Sequence, residues 1–237
     1  MKKRFCIGDI HGAHKALLQC FERSSFNPEK DQLISLGDVA DGWSEVPMCF
    51  EELRKVKDLI YIMGNHDEWL LHWFKTGESP PIWLTQGGEA SVNAYMTYLP
   101  RDMNKVHEKL LDKAVYYHEV DDMLFIHGGF NWHYPIEDQE PYDLTWDRHL
   151  WAIAQYWDKQ KYNKDLSKVK DYDEVFIGHT TTSRLDPELK PVHASNVWNL
   201  DQGAGWEGKL TIMDIDTKEY WQSDIVADLY PEIKGRR

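Results

Sequence analysis

Five short apolar runs in this chain stop at the same kind of polar set: Gly8-Asp9-Ile10-His11, Gly37-Asp38, Gly64-Asn65-His66, His127-Gly128 and Gly178-His179. Carboxylates, imidazoles and a carboxamide, with no thiolate among them, form an oxygen and nitrogen donor set of intermediate hardness. Such a set suits manganese, iron or zinc better than a soft metal. Six donors exceed what one tetrahedral ion takes, and a single aspartate bridging two ions would account for the surplus. Two ions about 3.5–4 Å apart are the usual arrangement for activating water against a phosphorus ester. One Asp-x-His alone would more often be loop chemistry, but five sets at strand ends point to a metal site.

The elements that must position these residues follow from spacing. Phe5-Cys6-Ile7-Gly8, Gln32 to Leu36 and Leu59 to Met63 read as strands. Each is followed by a loop and then by a helix with one apolar face: Ala16, Leu17, Cys20 and Phe21; Val46, Cys49, Phe50, Leu53 and Val56; Trp69, Leu70 and Trp73. Three β-loop-α units of about 30 residues predict parallel strands joined by right-handed crossovers. Their loops then emerge at one sheet edge, where ligands of open α/β sheets collect. Residues 77–113 read as a mainly helical insertion able to cap that edge. Val115 to Val120 and Met123 to Ile126 read as strands around the turn Asp121-Asp122, and 192–223 has hairpin character. With no Gly/Ser-rich or Pro-rich linker, 1–237 reads as a single domain.

Composition narrows the function. Forty Asp and Glu against 27 Lys and Arg give a net charge of −13, which argues against duplex nucleic acid as a partner, since that needs a basic face. A 42% hydrophobic and 13% aromatic content supplies material for a core. Cys6, Cys20 and Cys49 have no CxxC spacing and read as buried apolar residues in a reducing compartment. The apolar stretch after Met1-Lys2-Lys3-Arg4 is cut by Asp9 and His11, too early for a signal-peptide core, and no run reaches the length of a membrane helix. The expectation is a cytoplasmic protein without membrane contact.

The five sets in this order, with Asp41 after the second, Asp67 in the third, and Gly129 and Thr180 closing the last two, resemble the signatures of the calcineurin-like metallophosphoesterases. Within them the chain is most similar to the small bacterial and phage branch of phosphoprotein phosphatases, which includes the phage lambda phosphatase. Trp83 with Gly87-Gly88, Trp146-Asp147-Arg148 and Asp201-Gln202-Gly203-Ala204 carry the likeness over most of the chain. It implies an α/β fold, a β-sandwich flanked by helices in four layers, α/β/β/α. Position by position, it implies that Asp9, His11 and Asp38 hold a first ion and that Asp38, Asn65, His127 and His179 hold a second. Both ions would be manganese or iron, with zinc as the alternative. A hydroxide bridging them would attack phosphorus in line. His66 would protonate the departing oxygen, with Asp41 keeping the imidazole oriented and cationic.

The implied reaction is phosphomonoester hydrolysis, on a phosphoprotein or a small phosphate ester. Hydrolysis of a dinucleoside polyphosphate such as diadenosine tetraphosphate is the alternative, and a non-catalytic, phosphate-recognising metal module is a third reading. One departure bears on substrate. The family pattern continues Asp-Arg-Gly where this chain has Asp41-Gly42-Trp43, so one phosphate-clamping arginine is missing. Arg148 is expected to carry that task alone, and Arg54 is less suited because it lies inside a predicted helix. Asp67 reads as a helix cap in preference to a residue orienting a ligand, and Asp201 as a turn residue. His14, His72, His107, His118, His133, His149 and His193 read as surface or packing residues. Trp69, Trp73, Trp83, Trp146, Trp151 and Trp157 read as core aromatics, with a groove lining as the alternative.

Overall fold

The computed structural model describes residues 2–98, 103–159, 168–169 and 171–236. Residues 99–102 of the expected insertion lie outside the described residues, as do 160–167 and 170.

The first half alternates strand and helix: β1 (Arg4–Ile7), α1 (His14–Ser24), β2 (Gln32–Ser35), α2 (Val46–Arg54), β3 (Asp58–Tyr61) and α3 (Asn65–Thr76). β1, β2 and β3 pair in parallel, Cys6 opposite Ile34 and Ile34 opposite Ile60, as the β-loop-α spacing predicts. Then come α4 (Pro81–Trp83), a π-helical turn Leu84–Gly88, α5 (Glu89–Tyr98) and α6 (Met103–Leu111). The second half runs β4 (Tyr117–Val120), β5 (Met123–Ile126), α7 (Pro141–Trp146), α8 (His149–Lys159), β6 (Glu174–Ile177), β7 (Val192–Ala194), β8 (Val197–Asn199), β9 (Thr211–Asp214), β10 (Tyr220–Gln222) and α9 (Val226–Leu229).

Two five-stranded sheets result, ordered β10-β9-β1-β2-β3 and β4-β5-β6-β8-β7. Side chains alternate across a strand, and that period sorts the apolar residues into layers. Phe5 and Ile7 of β1 and Leu33 of β2 pack towards α1 and α2. Leu124, Ile126, Val175 and Ile177 pack towards α7 and α8. The intervening residues Cys6, Ile34, Phe125, Phe176 and Met213 meet in a core between the sheets, where Phe125 and Phe176 stack with centroids 4.7 Å apart. Burying one such ring contributes about 1.5–3 kcal/mol. The outcome is the expected four-layer sandwich, and its three cysteines are buried and free. Among the described residues no helix is long and apolar enough to cross a membrane.

Candidate metal centre

The loops leaving β1, β2, β5 and β6 and the first turn of α3 meet at one edge of the sandwich. Asp9, His11, Asp38, Asn65, His127 and His179 come together there, each at most 9% exposed. Their donor atoms form two clusters, Asp9 with His11 and Asp38, and Asp38 with His127 and His179. Asp38 belongs to both. Its Oδ2 lies 3.7 Å from His11 Nε2 and 3.3 Å from His127 Nε2, and its Oδ1 accepts the His66 backbone N–H at 2.9 Å.

Local backbone explains how the side chains turn inward. His11, Asp38, Asp41 and His179 all adopt left-handed backbone, with φ of +49°, +49°, +71° and +62°. This conformation costs non-glycine residues about 1–3 kcal/mol each and persists where surrounding structure enforces it. Asn65 and His66 open α3. Asp67 at its third position accepts the Gly64 N–H through Oδ2 (3.3 Å), while its Oδ1 accepts the N–H groups of Val39 and Ala40, both at 3.0 Å. Asp67 is therefore a cap, as expected, and also the tie that holds the Asp38 loop against α3, a contact between distant loops that a capping pattern does not encode.

Several features fit the residues to bound cations. His11 Nδ1 donates to Ala40 O at 2.9 Å and His127 Nδ1 to Leu36 O at 2.7 Å. Both Nε2 lone pairs are thereby left facing the centre, the usual way a protein fixes the tautomer of a ligating histidine. His127 Nε2 then faces Asn65 Oδ1 at 3.2 Å as well as Asp38, a pair of oxygens that calls for positive charge on that nitrogen, as a proton or as a metal ion. Burial opposes charge on His127, but the Asp38 carboxylate, its hydrogen bond and Asp9 outweigh it and push the pKa up to about 10. His179 Nε2 is buried with no protein partner. Gly64 and Gly178 leave the space: a Cβ on either would collide with Oδ1 of Asp38 or of Asp9.

Beside the clusters, His66 Nδ1 contacts Asp41 Oδ2 at 2.6 Å. Asp41 is fully buried and takes two more donors, Trp83 Nε1 at 2.7 Å and Ser91 Oγ at 2.6 Å. Its own N–H donates to Ser91 Oγ at 2.9 Å. Trp83 ends α4 and Ser91 lies in α5, so the 77–113 stretch reaches the site through the residue that orients His66. Burial pushes the Asp41 carboxyl up to about 8 and the His66 imidazole down to about 3. Three donors on two oxygens favour the carboxylate, so the proton of this contact sits on Nδ1. Burial opposes the second proton of the cationic imidazole expected from the sequence, and the Asp38 charge favours it.

Arg148 follows α7. Asp147 fixes it by accepting the Leu150 N–H at 2.9 Å and packing against Gly129. Arg148 lines an open groove of about 630 Å³ with Tyr134, Tyr142 and Trp146, and its charge is felt at Asp38. Trp146 meets His179 edge-on at 5.8 Å, so it borders the site, whereas Trp83 and Trp151 are buried as expected. Arg54 pairs with Glu51 at 2.9 Å on the exposed surface of α2. Asp201 accepts the Gly203 N–H at 2.9 Å, the turn role expected of it. Sequence reasoning missed Ser91, which no local pattern marks, and the Trp83 hydrogen bond.

The chain is similar to known proteins along most of its length. It is 35% identical over 220 residues to serine/threonine-protein phosphatase 2 of Escherichia coli, covering 88% of this chain and 91% of that one. It is 49% identical over 212 residues to the symmetrical bis(5'-nucleosyl)-tetraphosphatase of Aliivibrio fischeri, covering 78% and 72%. In fold it is similar to a protein serine/threonine phosphatase from Saccharomyces cerevisiae, with a TM-score of 0.59 at 14% identity over 99% of this chain and 82% of that one. The family model for calcineurin-like phosphoesterases matches residues 3–183, and with that match the chain belongs to the calcineurin-like phosphoesterase family and is a hydrolase.

Proposed function

We propose that the chain is a dinuclear phosphomonoesterase acting on phosphorylated protein, with manganese or iron as its ions and zinc as an alternative. The observation that carries this reading is the Asp38 carboxylate shared between two donor clusters. Asp9, His11 and Asp38 would hold one ion, and Asp38, Asn65, His127 and His179 the other. When bound, such a pair supplies a water nucleophile at neutral pH and neutralises phosphoryl oxygens. The protein's own residues do the rest. Asp41, gripped by Trp83 and Ser91, fixes the His66 ring and leaves Nε2 as the free tip. An anionic phosphate beside that tip favours the imidazolium that burial disfavours, so His66 gains its second proton with substrate and returns it to the departing oxygen. Arg148 binds phosphate at the rim.

The groove beside Arg148 supports the choice of substrate. Asp138, Glu140, Asp143 and Asp147 line it with a single arginine, a field that welcomes basic residues flanking a phosphorylated side chain and repels a polyphosphate chain. A second reading, hydrolysis of a dinucleoside polyphosphate, draws on Tyr134, Tyr142 and Trp146 in the same groove, which offer faces to a nucleobase, and on the name of the Aliivibrio relative. Asp38→Asn tests the centre: both ions and turnover of an aryl phosphate should be lost together, and retention of both would refute it. Turnover on a phosphopeptide with basic flanks against diadenosine tetraphosphate decides between the substrates.

A further inference from the structure

The segment after α9 runs back over the metal centre. Arg236 N–H donates to Gly205 O at 2.8 Å, and Gly235 lies flat on the Trp43 indole, where a Cβ would come within 2.8 Å of the ring. The Arg236 side chain then passes between glycines of three separate segments, two loops and the π-helical turn. A Cβ on Gly42, Gly87 or Gly205 would lie 3.3, 3.0 or 3.1 Å from its methylenes, so a larger residue at any of the three would crowd the stem. Its guanidinium faces the Trp206 ring at 5.3 Å from the centroid. Nη1 reaches 3.0 Å from His11 Nε2, and Nε is buried without a partner.

An arginine serving only to tether its segment would have its donors satisfied by carbonyls or carboxylates. This one is aimed at the lone pair of a proposed metal ligand, and its Nε is unpaired. A second guanidinium lies close by: Arg148 has its pKa lowered first by partial burial and next by the charge of Arg236. Two guanidiniums whose charges both act on His66, beside a centre proposed to hold two cations, form a set suited to an anion with several acceptors. A tetrahedral oxyanion matches the planar fork of arginine in geometry as well as charge.

Resting on the phosphoesterase reading above, we propose that Arg236 is a phosphate-binding residue of this site, supplying with Arg148 the second guanidinium that position 42 lacks. Once His11 gives its lone pair to an ion, the guanidinium is left by its glycine-walled stem facing the same centre. A phosphoryl group bound there takes up its donors.

The test is calorimetric titration of manganese-loaded protein with inorganic phosphate, alongside metal content by elemental analysis. Arg236→Gln keeps the stem and removes the charge, and Arg236→Lys keeps the charge and removes the fork. Arg236→Gln should bind phosphate about tenfold to a hundredfold more weakly, as for a lost charge-assisted hydrogen bond, with Arg236→Lys between it and wild type and metal content equal in all three. Unchanged phosphate affinity in Arg236→Gln would overturn the proposal. So would tighter binding, which would make Arg236 a plug over the centre. Wild-type protein that binds phosphate through Arg236 yet turns over no ester would sink the functional reading and leave this inference standing. Turnover by wild type with phosphate affinity indifferent to Arg236 would do the reverse.

Discussion

Ser91→Ala removes one oxygen atom from the wall behind the metal centre, and its cost can be worked out from contacts already described. The Ser91 hydroxyl donates to Asp41 Oδ1 and accepts the Asp41 N–H, and both residues are fully buried. A hydrogen bond to a charged group contributes about 1.5–3 kcal/mol, and a buried N–H left without an acceptor costs about 1–3 kcal/mol. Neither group can turn to water, so the variant should lose about 2.5–6 kcal/mol of folding stability. With a urea slope of roughly 2–3 kcal/mol per molar, the unfolding midpoint should fall by about 1–3 M. Turnover should fall as well, because the carboxylate that orients His66 loses one of its two other side-chain donors. Ser35→Ala is the internal comparison. Ser35 is also fully buried, but its hydroxyl has no partner within the protein, so its removal should be neutral within about 0.5 kcal/mol or stabilising. A Ser91→Ala loss below about 0.5 kcal/mol, the level of an ordinary surface substitution, would refute the reasoning, as would equal losses at the two serines.

Three further outcomes are expected. Gly64→Ala should keep the fold but abolish metal retention, because the new Cβ takes the place of Asp38 Oδ1; elemental analysis after gel filtration checks this. His107, which is 0% exposed, contacts Tyr95 Oη and Glu51 through its two ring nitrogens, and its pKa is lowered, chiefly by burial. The unfolded chain therefore takes a proton at higher pH than the folded one, so the contribution of His107 is fully present above about pH 6.5 and fades as pH falls. Denaturation midpoints of wild type and His107→Leu should accordingly converge between pH 7.5 and 5; a gap that stays constant with pH would contradict this. Stripping metal with a chelator should lower the thermal midpoint and manganese should restore it, since free ion at 100 times its Kd stabilises a site by about 2.7 kcal/mol.

Much of the sandwich was readable because its signal is local. Strand, turn and helix recur every 30 residues or so, and the donor residues follow the strand ends in that rhythm, so Asp9, Asp38 and Asn65 could be placed together before any coordinates. His127 and His179 could be added because β5 and β6 end in the same way. What escaped has no local signature. Ser91 meets Asp41 across 50 residues and Arg236 meets His11 across 225, and a serine or an arginine in a polar stretch looks the same whether it is solvated or buried in a site. The charge state of His66 is likewise not legible in the sequence, because a neighbouring carboxylate is visible in the chain while the depth of burial opposing the charge is not. The groove beside Arg148 depends on how the loop after β5 folds over α7, which no periodicity encodes.

The six donors do not all come from one sheet. Asp9, His11 and Asp38 stand on loops of the sheet that contains β1, β2 and β3 and Asn65 opens the helix after β3, whereas His127 and His179 follow β5 and β6 of the other. The first proposed ion would thus be held by one sheet, and the second would be a rivet through the seam of the sandwich. Losing the first should loosen a loop. Losing the second should let the two halves breathe against each other along the Phe125–Phe176 stack, so amide exchange in β5 and β6 is expected to quicken only when the second ion departs.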